Sequence, residues 1–278
     1  NLHFATTFDE AARTAVQLAN ASSSAEPAPG LDLERFASGQ RYLRGLFSGG
    51  TLAYETLLIL QGYLPAVYSN VPLKEEYRLA DPTVSQGHTI VDLGEDEFTV
   101  GRLHPMMDND LRIRRLQQEA DDPEVAAILL DVVLGYGAHP DPAGELGPAI
   151  AEARARAEQD GRHLAVVAVV VGTDEDPQDF AAQVGQLEAA GARVETSNDL
   201  AVHEVGRLLQ SLSPAPTTEY SASVDLSVLR EPLSAINVGL ELFTESLLAQ
   251  DAAVIQVDWR PPAGGKEDLM AILQRMRG

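Results

Sequence analysis

Five short stretches of this chain combine residue types that can bind an anion or move a proton. The first is Ser48-Gly49-Gly50-Thr51, between an apolar strand-like run and a helix-like one. Free backbone N–H groups at a helix start, together with the helix dipole, make an anion site there. The Walker lysine is missing, so this is not a nucleotide P-loop. The plain alternative is an N-cap made by Ser48 or Thr51. The second stretch, Asp92-Leu93-Gly94-Glu95-Asp96, places three carboxylates at a strand end. They repel phosphate unless a cation such as Mg²⁺, held by Asp92 or Asp96, intervenes, and surface turn chemistry is the preferred explanation for them. In the third, GRLHPMMD, Arg102 suits bidentate binding of a carboxylate or phosphate. His104 can donate to an oxyanion or relay a proton, and Asp108 can cap the following helix.

The fourth stretch follows the apolar run VAAILLDVV (125–133), which only Asp131 interrupts. Gly135, Tyr136, Gly137, Ala138 and His139 come next, with glycines that let backbone approach a ligand. His139 can act as acid, base or phosphoryl acceptor, or can simply cap a helix. The fifth, Asp258-Trp259-Arg260-Pro261-Pro262-Ala263-Gly264-Gly265, joins the sole tryptophan to an arginine and a Gly-Gly helix start. Arg260, Gly264 and Gly265 suit recognition of a planar or anionic group, and a partner-docking loop would look the same. Gly-x-Ser-x-Gly, HExxH, GxGxxG and EF-hand patterns are absent, and no metal site is read from the sequence.

The elements that must hold these loops alternate. Strands are expected at 41–47, 87–93, 125–133, 163–171 and 192–195, and helices at 52–60, 108–120, 146–159, 177–190 and 200–212. That alternation argues for a parallel α/β sheet, whose ligands sit at the carboxyl ends of strands. The loops at 48–51, 135–139 and 258–265 all follow strands, so a composite site is expected. Helical periodicity at 8–19 precedes a Ser/Pro/Ala linker at 21–30 that sets it apart, giving a 1–30 helix-and-linker segment. Residues 31–212 form the main α/β domain. Beyond a second linker at 213–221, strands at 235–238 and 253–257 and helices at 240–248 and 266–276 make a small βαβα unit within 213–278, suited to docking or site completion.

Composition narrows the function classes. Of 278 residues, 45% are hydrophobic, which supports a substantial core. Asp and Glu number 42 against 20 Lys and Arg, a net charge of −22, which argues against nucleic acid or an anionic membrane as partner. Cysteine is absent, which excludes disulfides, thiolate metal sites and thiol nucleophiles and fits a cytoplasmic setting. Neither a signal peptide nor an apolar stretch of about 20 residues is visible.

At LFSGGTLAYE, HPMMD, ILLDVVLGYGAHPDPA and INVGLELF…VDWRPPAGG the chain resembles the FdrA family, relatives of succinyl-CoA synthetase often labelled acyl-CoA synthetase. The likeness runs from NLHFATTFDEAA to VDWRPPAGG and is to the carboxyl-terminal half of such proteins. The half with the Gly-rich CoA-binding-like domain has no counterpart here, which implies a shortened chain or a split subunit. CoA or nucleotide would then bind only where that half is supplied. The resemblance implies flavodoxin-like parallel sheets of the synthetase ligase-domain type. It implies phosphate or substrate binding by Ser48, Gly49, Gly50, Thr51, Gly135 and Gly137, and also by Asn237, Arg260, Gly264 and Gly265. His139, His104 and Arg102 are the candidate catalytic groups, although His139 does not reproduce the synthetase histidine motif.

FdrA-like proteins are associated with anaerobic purine (allantoin) catabolism. There the resemblance implies a subunit of oxamate carbamoyltransferase, which converts oxalurate and phosphate to oxamate and carbamoyl phosphate with partner subunits. An acyl-CoA synthetase subunit and a non-catalytic scaffold are the alternatives. The expected ligands are small anions: carbamoyl phosphate, oxamate or an acyl phosphate.

Overall fold

The computed structural model describes residues 5, 7–20, 35–213 and 234–257. The chain forms two units, Asn1–Tyr220 and Ser221–Gly278. In the first, six strands form one sheet: β1 (Tyr42–Phe47), β2 (Tyr68–Ser69), β3 (Thr89–Asp92), β4 (Val125–Val133), β5 (Ala165–Val171) and β6 (Arg193–Glu195). Their order is β2-β3-β1-β4-β5-β6, and every pairing is parallel. Without the two-residue edge strand β2, this is the flavodoxin order. The order reverses between β1 and β4, so a ligand crevice is expected where those two strands end.

Helices cover both faces, as a parallel sheet requires. On one face α4 (Asp110–Ala120), α5 (Pro142–Gln159) and α6 (Phe180–Ala189) bury Leu116, Leu146, Ile150 and Leu187 against Leu46, Val91, Ile128 and Leu130. On the other, α2 (Gly50–Leu60) and α7 (Asn198–Leu212) bury Leu57, Leu60, Val202 and Val205 against Leu43, Phe47, Ile90 and Leu129. Alternate residues of β1, β3 and β4 thus serve opposite faces. One ionic cluster lies within the core. Arg44 of β1 pairs with Glu119 (2.6 Å) and Asp122 (2.8 Å), and Arg115 shares Glu119 (2.5 Å).

Several helices begin away from where periodicity places them, because side-chain caps set the starts. Asp141 accepts from Gly144 N with Pro142 in the first turn, so α5 starts at Pro142 rather than at residue 146. Asp179 accepts from Ala182 N, which starts α6 at Phe180 rather than at 177. Ser197 caps α7 at Asn198, two residues early. A 3₁₀ turn at Glu75–Tyr77 and the four-residue α3 (Asp96–Thr99) are too short to read from periodicity. The first helix, α1 (Phe8–Asn20), is separate in sequence but not in space. Phe8 N donates to Glu55 Oε1 of α2 at 2.6 Å, and Arg13 lies 3.6 Å from Asp199 of α7. Among the described residues no helix is long and apolar enough to cross a membrane.

In the second unit, β7 (Ser234–Asn237) pairs in parallel with β8 (Ala253–Gln256), joined through α8 (Glu241–Leu248). The helix expected at 266–276 lies outside the described residues.

Candidate functional site

The candidate site begins where β1 gives way to α2. Gly49 is extended (φ −170°, ψ 160°), α2 starts at Gly50, and no side chain caps it. The first N–H groups of a helix have no intrahelical partner, so this turn presents bare donors and the positive end of the helix dipole. A Cβ on Gly49 would meet nothing within 4 Å, so the approach is open. Ser48 does not cap the helix, although sequence alone allows it. Its N donates to Asp131 Oδ1 at 2.8 Å and its Oγ to Asp131 Oδ2 at 2.6 Å. Asp131, the one charge in the β4 run, therefore clamps the end of β1 from the adjacent strand.

Asp131 is itself held by Arg112 of α4, Nη2 to Oδ1 at 3.0 Å. All three residues are buried. Burial draws the Arg112 guanidinium below its ordinary value, and the neighbouring Asp131 charge opposes that shift. Arg112 Nε is buried without a hydrogen-bond partner. The charge pair is costly to bury, so its role is positional: it fixes the loop at the switch point of the sheet.

The end of β3 closes on the same turn. Leu93 N donates to Phe47 O at 2.9 Å, and Gly94 N to Asp92 Oδ1 at 2.8 Å. A Cβ on Gly94 would lie 2.6 Å from Ser48 O, 2.8 Å from His104 Nε2 and 3.1 Å from Asp92 Oδ1. Only glycine fits there, and the ends of β1 and β3 and the His104 loop converge on it. Asp92 Oδ2 faces Gly50, at 3.1 Å from the position a Cβ would occupy. Asn70 braces Asp92 on both sides, donating to its carbonyl (2.9 Å) and accepting from its N–H (3.0 Å). Burial pushes the Asp92 carboxyl above its ordinary value, with Glu95 and Asp131 adding to the rise.

The Gly135–His139 loop stands at the end of β4. Gly135 has φ 137°, a conformation suited to glycine. Buried Gln178 organises the loop, accepting from Gly135 N (3.0 Å) and donating to Gly135 O (2.8 Å) and His139 O (3.1 Å). His139 N donates to Met106 O at 2.7 Å, which ties this loop to the one carrying His104. Both ring nitrogens of His139 are engaged: Nδ1 accepts from Asp141 N (3.1 Å), and Nε2 lies 3.3 Å from Glu145 Oε1. His104 differs: among the described residues its Nδ1 accepts from Met106 N at 3.3 Å, while Nε2 has no hydrogen bond and faces the turn at Gly94.

The predicted residues thus divide. Ser48, Gly49, Gly50, Thr51 and His104 come together at the ends of β1 and β3, and Gly135, Gly137 and His139 share the neighbouring loop. Arg102 is exposed and lines a cleft with Phe98, Leu111 and Arg114 on the α4 side. Asn237 belongs to the second unit, where its Nδ2 donates to Leu240 O (2.8 Å), Thr244 Oγ1 (3.0 Å) and Gln256 Oε1 (2.7 Å) and shapes the turn into α8. Arg260, Gly264 and Gly265 lie outside the described residues. Among the described residues no group of three or more His, Cys, Asp or Glu is placed to hold a metal ion. The sequence reading left out Arg112 and Gln178. It singled out Asp131 and Asp92 without placing either among the site residues. A charge inside an otherwise apolar strand was the available signal for Asp131; a glutamine far along the chain carries none.

A family model for CoA-ligases matches residues 46–208, which contain every one of these strand-end loops. The chain is also similar to the uncharacterized protein YahF of Escherichia coli (strain K12), 45% identical over 164 residues. That match covers 59% of this chain and 32% of the relative, so the chain spans about a third of that relative's length. With this match over the parallel sheet and its switch-point loops, the chain belongs to the CoA-ligase family.

Proposed function

We propose that this chain is a component of an acyl-transferring enzyme of the CoA-ligase type, and that the α2 amino terminus receives a phosphate or acyl-phosphate group. One observation carries the reading: α2 is uncapped at the switch point because Asp131 draws Ser48 away from it. The N–H groups of Gly50, Thr51 and Leu52 would hold the phosphoryl oxygens. His104 Nε2 would donate to an oxygen that gains charge as the acyl carbon passes between acceptor and phosphate. Gln178 and His139 would keep the neighbouring loop in shape. The scheme needs no covalent protein nucleophile.

The finer form rests on the likeness to FdrA proteins and their succinyl-CoA synthetase relatives. In it the transferred group is carbamoyl: a phosphate oxygen attacks the ureido carbon of oxalurate, the bond to the oxamate nitrogen breaks, and that nitrogen takes a proton. Partner subunits supply the rest of such a site, and CoA or a nucleotide would be held by them.

The substitution Gly49→Asp tests the anion site directly. An aspartate there caps α2 and occupies its free N–H groups. The fold should keep or gain stability, while carbamoyl phosphate binding measured by ³¹P NMR should weaken by about tenfold or more. Unchanged binding in a folded Gly49→Asp chain would sink the reading. Formation of oxalurate from carbamoyl phosphate and oxamate, with partner subunits added, separates the carbamoyl form from acyl-CoA synthesis.

A further inference from the structure

We infer that the cleft between residues 97–103 and α4 is a second binding site, for an organic monocarboxylate with an apolar body. It goes beyond the acyl-transfer reading and does not depend on it. The cleft encloses about 390 Å³, within the size range of small-molecule sites. Its walls combine Leu93, Phe98, Val100 and Leu111 with the guanidinium-bearing Arg102 and Arg114. A neighbouring pocket of about 220 Å³ shares Phe98, Arg102, Leu111 and Arg114 and extends along Leu103 and Pro105 to the carboxylates Asp108 and Asp110, so the ligand's carboxylate is placed in the first cleft.

The two arginines are the telling part. In a chain with 42 acidic residues against 20 basic ones, most arginines here are tied to carboxylates. Arg102 and Arg114 have no ion pair and no side-chain hydrogen bond among the described residues, yet both line the same two pockets. Arg115, the third guanidinium at the cleft, is committed to Glu119, Pro82 O and Ser85. Two free planar forks beside an aromatic ring suit a carboxylate joined to an apolar group. The rim carries unusual apolar exposure for a soluble face, with Val100 81% and Leu103 60% exposed, which an apolar ligand body would cover. Glu97 also lines the cleft. Its charge, and that of the whole chain, disfavours a phosphate dianion and selects a monoanion. The concave shape favours a small molecule over an acidic peptide.

The probe is 3-phenylpropionate, with 3-phenylpropionamide as the neutral counterpart and phenyl phosphate as the dianion. Binding to the full chain is read by saturation-transfer NMR and calorimetry. The propionate should bind at low-millimolar concentration, and the amide and phosphate about tenfold more weakly or not at all. The double variant Arg102→Ala/Arg114→Ala, which alters only exposed side chains, should weaken propionate binding about tenfold. Phe98→Ala should weaken it several-fold. Gly49→Asp should leave it unchanged, which separates this site from the α2 terminus. No binding of the propionate at about 10 mM would overturn the inference. So would equal binding of the amide, equal or tighter binding of phenyl phosphate, or indifference to the arginine substitutions.

Discussion

Asp131 is the residue on which the candidate site turns. It accepts from Ser48 N and Oγ and pairs with Arg112, all out of contact with water. Its replacement by asparagine keeps the shape but leaves Arg112 as an uncompensated buried charge. Asp131→Asn should therefore lower stability by about 3–5 kcal/mol, measured by urea unfolding. A double variant, Asp131→Asn/Arg112→Met, should recover a large part of that loss, because the unpaired charge is gone. The sequence displayed Asp131 plainly as the break in an apolar strand. Its partners were not legible: Arg112 lies on a helix whose other arginines, Arg114 and Arg115, look identical in type and differ in surroundings. Arg102 shows the converse. Its guanidinium was visible in the sequence, but the turn after α3 directs it to the α4 cleft, and only tertiary structure decides that.

At the scale of elements, the strand ends are packed against each other more tightly than their polarity suggests. Gly94 admits no Cβ, because the Ser48 carbonyl would stand 2.6 Å away and is fixed backbone. Gly94→Ala should cost about 1–3 kcal/mol and move the β1 and β3 ends apart. Gly49→Ala, in extended backbone and open space, should lower the melting temperature far less. Thermal unfolding of the two variants side by side checks the contrast. The long strands were legible because their β-branched and leucine runs are buried on both faces: Val125–Val133 was read to the residue. Strand β2 was not, since two residues have no period, and Asn70 beside it, which braces Asp92, was missed with it. Helix starts were misjudged by two to four residues because Asp141, Asp179 and Ser197 act through caps rather than through apolar spacing.

At the scale of the molecule, acid acts on stability through His88. Burial, aided by the Arg44 charge, lowers this imidazole from 6.5 to about 4. The ring is also an acceptor for Leu43 N at 3.3 Å, which needs the neutral form. The unfolded chain therefore takes a proton on His88 before the folded one does. Stability contributed here is present above about pH 6.5 and is lost as pH falls toward 4. The loss attributable to His88 is on the order of 2–3 kcal/mol. In His88→Gln, whose amide oxygen can still accept from Leu43 N, the urea midpoint should fall less between those pH values than in the parent chain. Identical pH profiles would remove His88 from that role. The division into two units and the flavodoxin order explain why the pattern of alternating strands and helices, and a composite of the β1 and β4 loops, could be expected without the structure, while the closing of the β3 end and the His104 loop onto them could not. Those strands are neighbours only because the chain crosses over the sheet.

One consequence of Asp131 belongs to the chain before it folds. The run VAAILLDVV is rich in β-formers, and Asp131 is its only charge. During synthesis it emerges ahead of β5, the strand that covers its far edge with Ala127 through Val133 in register. Until then that edge of the apolar strand is open, and open apolar edges of this kind self-associate. A carboxylate inside it acts as a gatekeeper, solvated in the nascent chain and later turned inward to Ser48 and Arg112. The group that shapes the site in the finished protein also guards its longest strand against misassembly while the protein is being made.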